Sequence, residues 1–150
     1  MDIVTIGSPT KVKKKLCKEA IVFFGDILLS KALNSKVCLT LNFQKFKKKS
    51  EFSAFCDWEY DNNRPRDFII TVNKNLNKKR MLIAIAHEMV HVKQFAKGEL
   101  KDYVKSSKSK WCGKIYDNNK LDYWDQPWEI DAYGREKGLY YKFLIHKDSK

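Results

Sequence analysis

No two cysteines of this chain stand in a Cys-x-x-Cys pair: Cys17, Cys38, Cys56 and Cys112 lie far apart, which excludes a zinc ribbon and a thioredoxin-type redox motif. Cysteines so placed are expected to be small, reduced and half buried. A secretory signal is lacking too, because Met1-Asp2-Ile3-Val4 offers neither a basic start nor an apolar core. Long apolar runs are missing: the best candidate for a membrane span, Ala20 to Leu33, is interrupted by Gly25, Asp26 and Lys31. A reducing, cytoplasmic setting without membrane contact is the resulting expectation.

Acidic residues are in deficit, 18 against 30 Lys and Arg, for a formal net charge of +12. Such a field draws in nucleic acids, anionic surfaces or acidic proteins. The lysines are nonetheless scattered. Their densest groups, Lys11 to Lys18, Lys45 to Lys49 and Lys78 to Arg80, show no regular aromatic interleaving of the kind that stacks single strands. An AT-rich genome alone would also enrich Lys, Asn, Ile, Phe and Tyr. The charge therefore says what comes near, not what is done to it.

What is present is enough for one core. With 150 residues, 43% of them hydrophobic, and with no repeat or linker, residues 1–150 read as a single α+β domain. Ser8-Pro9 resembles a cap followed by proline at the first helical position, and Val12, Leu16, Ala20, Phe23, Phe24, Ile27 and Leu28 then recur at helical spacing, predicting a helix from Pro9 to Leu33. Val37 to Phe43 alternates as a half-buried strand, Lys45 to Ser50 is a solvated turn, and Phe52 to Tyr60 alternates again. After the turn formers Asp61 to Asp67, Phe68 to Val72 makes a further strand, the whole suggesting a β-meander. Lys78 to Lys97 is free of helix breakers, with caps available at Asn73 to Asn77 and at Gly98. Glu99 to Gln126 reads as a long functional loop with a short strand around Trp111 to Tyr116, and Pro127 opens a last helix before a polar tail, Lys147 to Lys150.

The long central helix holds two of the chain's three histidines, in the order His87-Glu88-Met89-Val90-His91. Residues four apart lie one above the other on a helix, so His87 and His91 present ring nitrogens to a single ion, and moving either by one residue would swing it by about 100°. Glu88, one step around, reaches the open side of that ion as a base without being a ligand. The preceding Met81 to Ala86 is apolar on every side, so the helix is expected to be buried and its polar side chains to need partners. The pattern predicts a zinc-dependent hydrolase, most simply a peptidase.

Catalytic zinc takes three protein ligands. His146 lies near the far end of the chain, and Val92-Lys93-Gln94-Phe95-Ala96-Lys97 lacks the further Gly and His of metzincins. A carboxylate is then the natural third ligand. Glu129, in the first turn of the last helix, is the leading candidate for the metal set His87, His91 and Glu129; Asp131 competes, and Glu136 lies two turns along the Glu129 face. For the oxyanion, Tyr116, Tyr123, Tyr133 and Arg135 are candidates. Trp58, Trp111, Trp124 and Trp128 serve as core or loop anchors that could also line a substrate pocket, and an exposed edge within Phe52 to Tyr60 could bind an extended peptide by strand addition.

His87 to Gln94, with Gly98-Glu99-Leu100 and the later Pro127-Trp128-Glu129-Ile130-Asp131-Ala132, resembles the small SprT-like zinc metallopeptidases, particularly compact versions encoded by bacteriophages. The similarity spans roughly Phe52 to Glu136. It implies a minimal zincin: a short sheet on an active-site helix, Zn2+ held by His87 and His91, Glu88 as general base, a protein or peptide as substrate, and a host cytoplasm as the setting if the chain is virus-encoded. SprT proteins usually complete the site with a downstream histidine, whereas this chain offers Glu129 or Asp131, nearer to gluzincins and ImmA-like peptidases. Two other functions fit parts of the sequence. One is a basic nucleic-acid- or protein-binding module whose zinc, if any, is structural, with Cys56 or Cys112 as further ligands; the other is a metal-dependent hydrolase of some other bond.

Overall fold

The computed structural model describes residues 1–7, 9–47, 52–59, 63–103 and 105–149. Its elements follow in the order β1 (Asp2–Ile6), α1 (Lys11–Leu28), α2 (Lys31–Asn34), β2 (Cys38–Gln44), β3 (Ala54–Trp58), β4 (Asp67–Asn73), α3 (Lys78–Lys97), β5 (Leu100–Tyr103), β6 (Lys108–Trp111), β7 (Lys114–Asp117), a 3₁₀ turn (Tyr123–Asp125) and α4 (Pro127–Asp148). The mixed α+β class is as expected.

The expected meander is not formed. The first sheet has the order β1-β2-β4-β3, with β1, β2 and β4 parallel and β3 antiparallel on the outer side of β4. Burial explains the arrangement. Phe68, Ile70, Thr71 and Val72 of β4 are all buried, so both of its faces are covered and it occupies an interior position, as parallel strands do. In β3, Ala54 and Cys56 pair with Val72 and Ile70 while Phe55 and Asp57 are exposed, the alternation of an edge strand. The strand β1 was not foreseen: five residues with a half-exposed pattern add to the free side of β2, Ile3 opposite Leu39.

The first helix is shorter than its apolar spacing suggests. Ser8 lies outside the described residues, Thr10 rather than Ser8 is the cap, accepting from the Lys13 amide, and Pro9 precedes the helix instead of opening it. At the other end, Leu29 turns extended (φ −116°, ψ 148°) and Ser30 caps the separate α2 through the Leu33 amide. The break lets Leu28 and Leu29 both enter the core while the chain turns back into β2. Of the expected turn Lys45 to Ser50, residues 48–50 lie outside the described residues, as do 60–62 of the next two segments and Lys150 of the predicted tail; the rest of that tail as far as Asp148 is helical.

Glu99 to Gln126 is not a loop but carries a second, antiparallel sheet, β5-β6-β7. The single strand expected at Trp111 to Tyr116 straddles a hairpin turn, where Cys112 and Gly113 take φ of 46° and 92°. The boundaries of α3 agree with expectation. Asn77 caps its start through the Arg80 amide, and Gly98 at φ 74° ends it, its amide reaching Gln94 and Phe95. As its all-round apolar surface requires, α3 is buried between the first sheet, α1, α4 and β5.

Candidate metal centre

Helical periodicity and the docking of α4 on α3 together build the site. His87, Glu88 and His91 come from the middle of α3, and Glu129 from the first turn of α4, where Pro127 at the first position fixes the start. All four are buried, with exposures of 8, 6, 8 and 9%. His87 Nε2 lies 3.2 Å from His91 Nε2 and 3.2 Å from Glu129 Oε2, and His91 Nε2 lies 3.3 Å from Glu129 Oε1. Three donor groups thus converge, and among the described residues this is the one group of His, Cys, Asp and Glu placed to hold a metal ion.

The far side of each imidazole is fixed by a partner. Glu136 Oε2 accepts from His87 Nδ1 at 2.9 Å. Gln94, fully buried, lies 2.8 Å from His91 Nδ1 through Oε1, while its amide nitrogen donates to the Trp128 carbonyl at 3.0 Å and to Asp131 Oδ2 at 3.1 Å. Those two acceptors settle the orientation of the Gln94 amide, so its oxygen faces His91 and the His91 Nδ1 must be the donor. Both rings therefore carry a proton on Nδ1, so that Nε2 faces the other donors and is the nitrogen that would bind a metal once it has lost its own proton.

Asp131 and Glu136, the other carboxylates considered as ligands, have separate roles. Asp131 takes Gln94 and, at 2.6 Å, Arg135 Nε, while Glu136 orients His87 from behind. His146 packs on Phe23 in the last turn of α4. Tyr123 donates to Glu129 Oε2 at 2.8 Å, Tyr133 lays its ring against His87, and Tyr116 packs on Trp128. Arg135 is committed to Asp131. Gln94 was missed, although its signal was present: a polar residue three positions after His91, on the same face of an apolar helix.

The chain matches no protein-family model, no curated protein and no solved structure.

Charge is arranged around the donors. Burial alone would depress His87, but the hydrogen bonds to Glu129 and Glu136 and the charge of Glu88 outweigh it and push its pKa up to about 9. His91 is raised against the same burial by its bond to Glu129 and by Glu88. Burial pushes the Glu129 carboxyl up, yet the bonds from His87 and His91 hold it well below its ordinary value. Glu88 goes the other way: burial raises it, His91 and His87 only partly offset this, and Glu129 and Asp57 add to it.

A metal entering this site displaces protons. His87, with its pKa raised to about 9, stays protonated through neutrality, so metal affinity climbs as pH rises through neutrality toward about 9, where that ring loses its proton. In competition with a chromophoric chelator, zinc affinity is expected to grow by about tenfold between pH 7 and pH 8 for each proton displaced. A flat profile over that interval would show that His87 is neutral in the metal-free protein.

The site opens on a cleft whose wall includes Ala54, Cys56 and Trp58 of β3, Phe95 of α3, Leu100 and Asp102 of β5, and Trp128 of α4. Two of the four tryptophans thus line it: Trp58 packs on Phe95 at 4.1 Å between ring centres, and Trp128 is buried beside Glu129. Trp124 is exposed. Cys56 reaches the cleft wall but is not among the converging donors, and Cys112 is exposed at its turn.

Proposed function

We propose that this chain is a zinc-dependent peptidase of the minimal zincin kind, with His87, His91 and Glu129 holding Zn2+ and Glu88 as general base. The observation that carries the reading is the spacing of the donors. Zinc bonds of about 2.0–2.2 Å to histidine nitrogen and carboxylate oxygen place neighbouring ligands of a tetrahedron about 3.3 Å apart, and the three donor separations here are 3.2, 3.2 and 3.3 Å. Two imidazoles and one carboxylate are a donor set of catalytic zinc, which keeps its fourth position open. His87, His91 and Glu129 all line the cleft, from which a substrate would reach a metal held by them.

Bound zinc would supply a Lewis acid for the substrate carbonyl and lower the pKa of a water to near neutrality. The residues of the chain do the rest. Glu88, raised by burial, takes the proton as the water oxygen forms its bond to the carbonyl carbon, and delivers it to the amide nitrogen as the C–N bond breaks. Glu136 and Gln94 keep the two rings aimed, and Tyr123 steadies Glu129. The outer edge of β3 borders the cleft and suits an extended peptide added as a further strand.

A structural zinc would be closed by four protein ligands, usually rich in Cys, and the converging group contains no cysteine. Among the described residues no helix is long and apolar enough to cross a membrane. A net charge of +12 favours proximity to nucleic acid, but it leaves a buried His-His-Glu group unexplained. The test is hydrolysis of a pool of fluorescence-quenched peptides by the zinc-loaded chain. Activity that a chelator abolishes and added zinc restores is expected; a fully zinc-loaded chain that cleaves no peptide rejects the reading.

A further inference from the structure

Asp102 is the one acidic residue of the cleft wall that does not belong to the metal motif or its third ligand. Strand alternation puts it there. On β5, Leu100 and Asp102 face the cleft, while Lys101 and Tyr103 share the other face, where Lys101 lies over the Tyr103 ring and is bonded to Asn63. Lysine is thus kept off the cleft side of this strand.

Among the described residues the hydrogen bond to the Asp102 carboxylate comes from a neutral group. Directly across the sheet, the buried Ser109 donates its hydroxyl to Asp102 Oδ1 at 2.6 Å, and Asn118 Nδ2 donates to Ser109 Oγ at 2.9 Å. The hydroxyl has one proton, so the Asn118 bond commits it to Asp102. Among the described residues Asp102 has no Lys or Arg partner within ion-pair distance, in a chain with 30 such residues. Burial raises its pKa, the Ser109 bond and the charge of His91 only partly opposing it. A half-buried carboxylate with no Lys or Arg beside it among the described residues gains from a cation brought by a ligand. The same cleft wall carries apolar and aromatic side chains, Phe95, Leu100, Trp58 and Trp128. An apolar wall ending in one anion is complementary to an aliphatic stem ending in one cation.

We propose that Asp102 is a specificity-determining residue that selects peptides carrying lysine or arginine near the scissile bond, the aliphatic stem lying on the aromatic wall and the cation on the carboxylate. The inference rests on the peptidase reading, and its test is arranged to fail separately. The probes are short fluorescent peptides identical except for Lys, Arg, Met or Glu at one central position. Their binding is measured by anisotropy to the zinc-loaded full chain carrying Glu88→Gln, in which hydrolysis is expected to be slow on the timescale of the measurement. Lys and Arg peptides are expected to bind roughly tenfold or more tightly than the Met peptide, and Asp102→Asn is expected to bring that ratio close to one with zinc content unchanged.

Equal binding of the Lys and Met peptides, no binding of any, or a ratio unaltered in Asp102→Asn overturns the proposal. Loss of zinc in Asp102→Asn also overturns it, by making Asp102 part of the metal site. Should that variant fail to fold, Ser109→Ala, which removes the hydroxyl aiming the carboxylate, is expected to shrink the ratio, and an unchanged ratio counts against it. The unmodified chain is offered the same peptides. Cleavage without a Lys or Arg preference leaves the peptidase and removes the role of Asp102; no cleavage, with the binding preference intact, does the reverse.

Discussion

Glu88→Gln is expected to keep zinc at its full occupancy and to lower the turnover of a quenched peptide by about 10²–10⁴-fold, the range that one positioned proton acceptor contributes. The substitution preserves shape and removes only the capacity to take a proton. Glu88 is suited to that task by its surroundings: it is 6% exposed, and burial, opposed by His91 and His87 and reinforced by Glu129 and Asp57, raises its pKa above the ordinary carboxylate value, the direction that strengthens a base. Turnover and metal content must be read on the same sample. Hydrolysis undiminished in a zinc-loaded Glu88→Gln protein would remove Glu88 from the mechanism, and loss of zinc in it would recast Glu88 as part of the metal site.

The second large effect concerns the metal itself. His87→Ala and Glu129→Ala are each expected to take zinc from near one per chain to near none after dialysis, as read by plasma mass spectrometry, while Asp131→Ala retains it. Glu136→Ala separates a ligand from its support. Losing a partner behind a ligating imidazole typically weakens affinity by roughly 10–100-fold, so that variant should keep zinc at micromolar supply and lose it to a strong chelator sooner than the parent. The opposite ranking, with Asp131→Ala empty and Glu129→Ala full, would reassign the third ligand. The geometry argues against that outcome, because Asp131 is already occupied by Gln94 and Arg135 and is only 3.7 Å from Lys93 Nζ.

How much of this was legible in the sequence follows the range of each interaction. His87, Glu88 and His91 were, since four residues on one helix fix their relation locally. Glu129 was legible through Pro127, which pins the start of α4 and thereby the direction of its first turn. Glu136 was noticed on the right face, but its position behind His87 depends on how α3 and α4 dock. The sheet order was out of reach: the parallel pairing of β2 with β4, Leu41 opposite Ile70, joins strands with β3 between them in the chain, and alternation alone carries no pairing information. The strands Lys108–Trp111 and Lys114–Asp117 were hidden by their own residues, four apiece and largely polar, divided by the turn at Cys112 and Gly113. Asp102 went unnoticed for the same reason.

The position of β1 at the border of the first sheet bears on how copies of this protein behave in company. Its outer side has no strand beside it among the described residues, and Val4 and Ile6 are 60 and 54% exposed, a combination that invites edge-to-edge pairing between molecules. The net charge of +12 opposes such encounters. That repulsion reaches about 30 Å at 10 mM ionic strength and only about 3 Å at 1 M, so the surplus lysines act as a colloidal guard on a sticky border, and concentrated salt is the condition that lifts it.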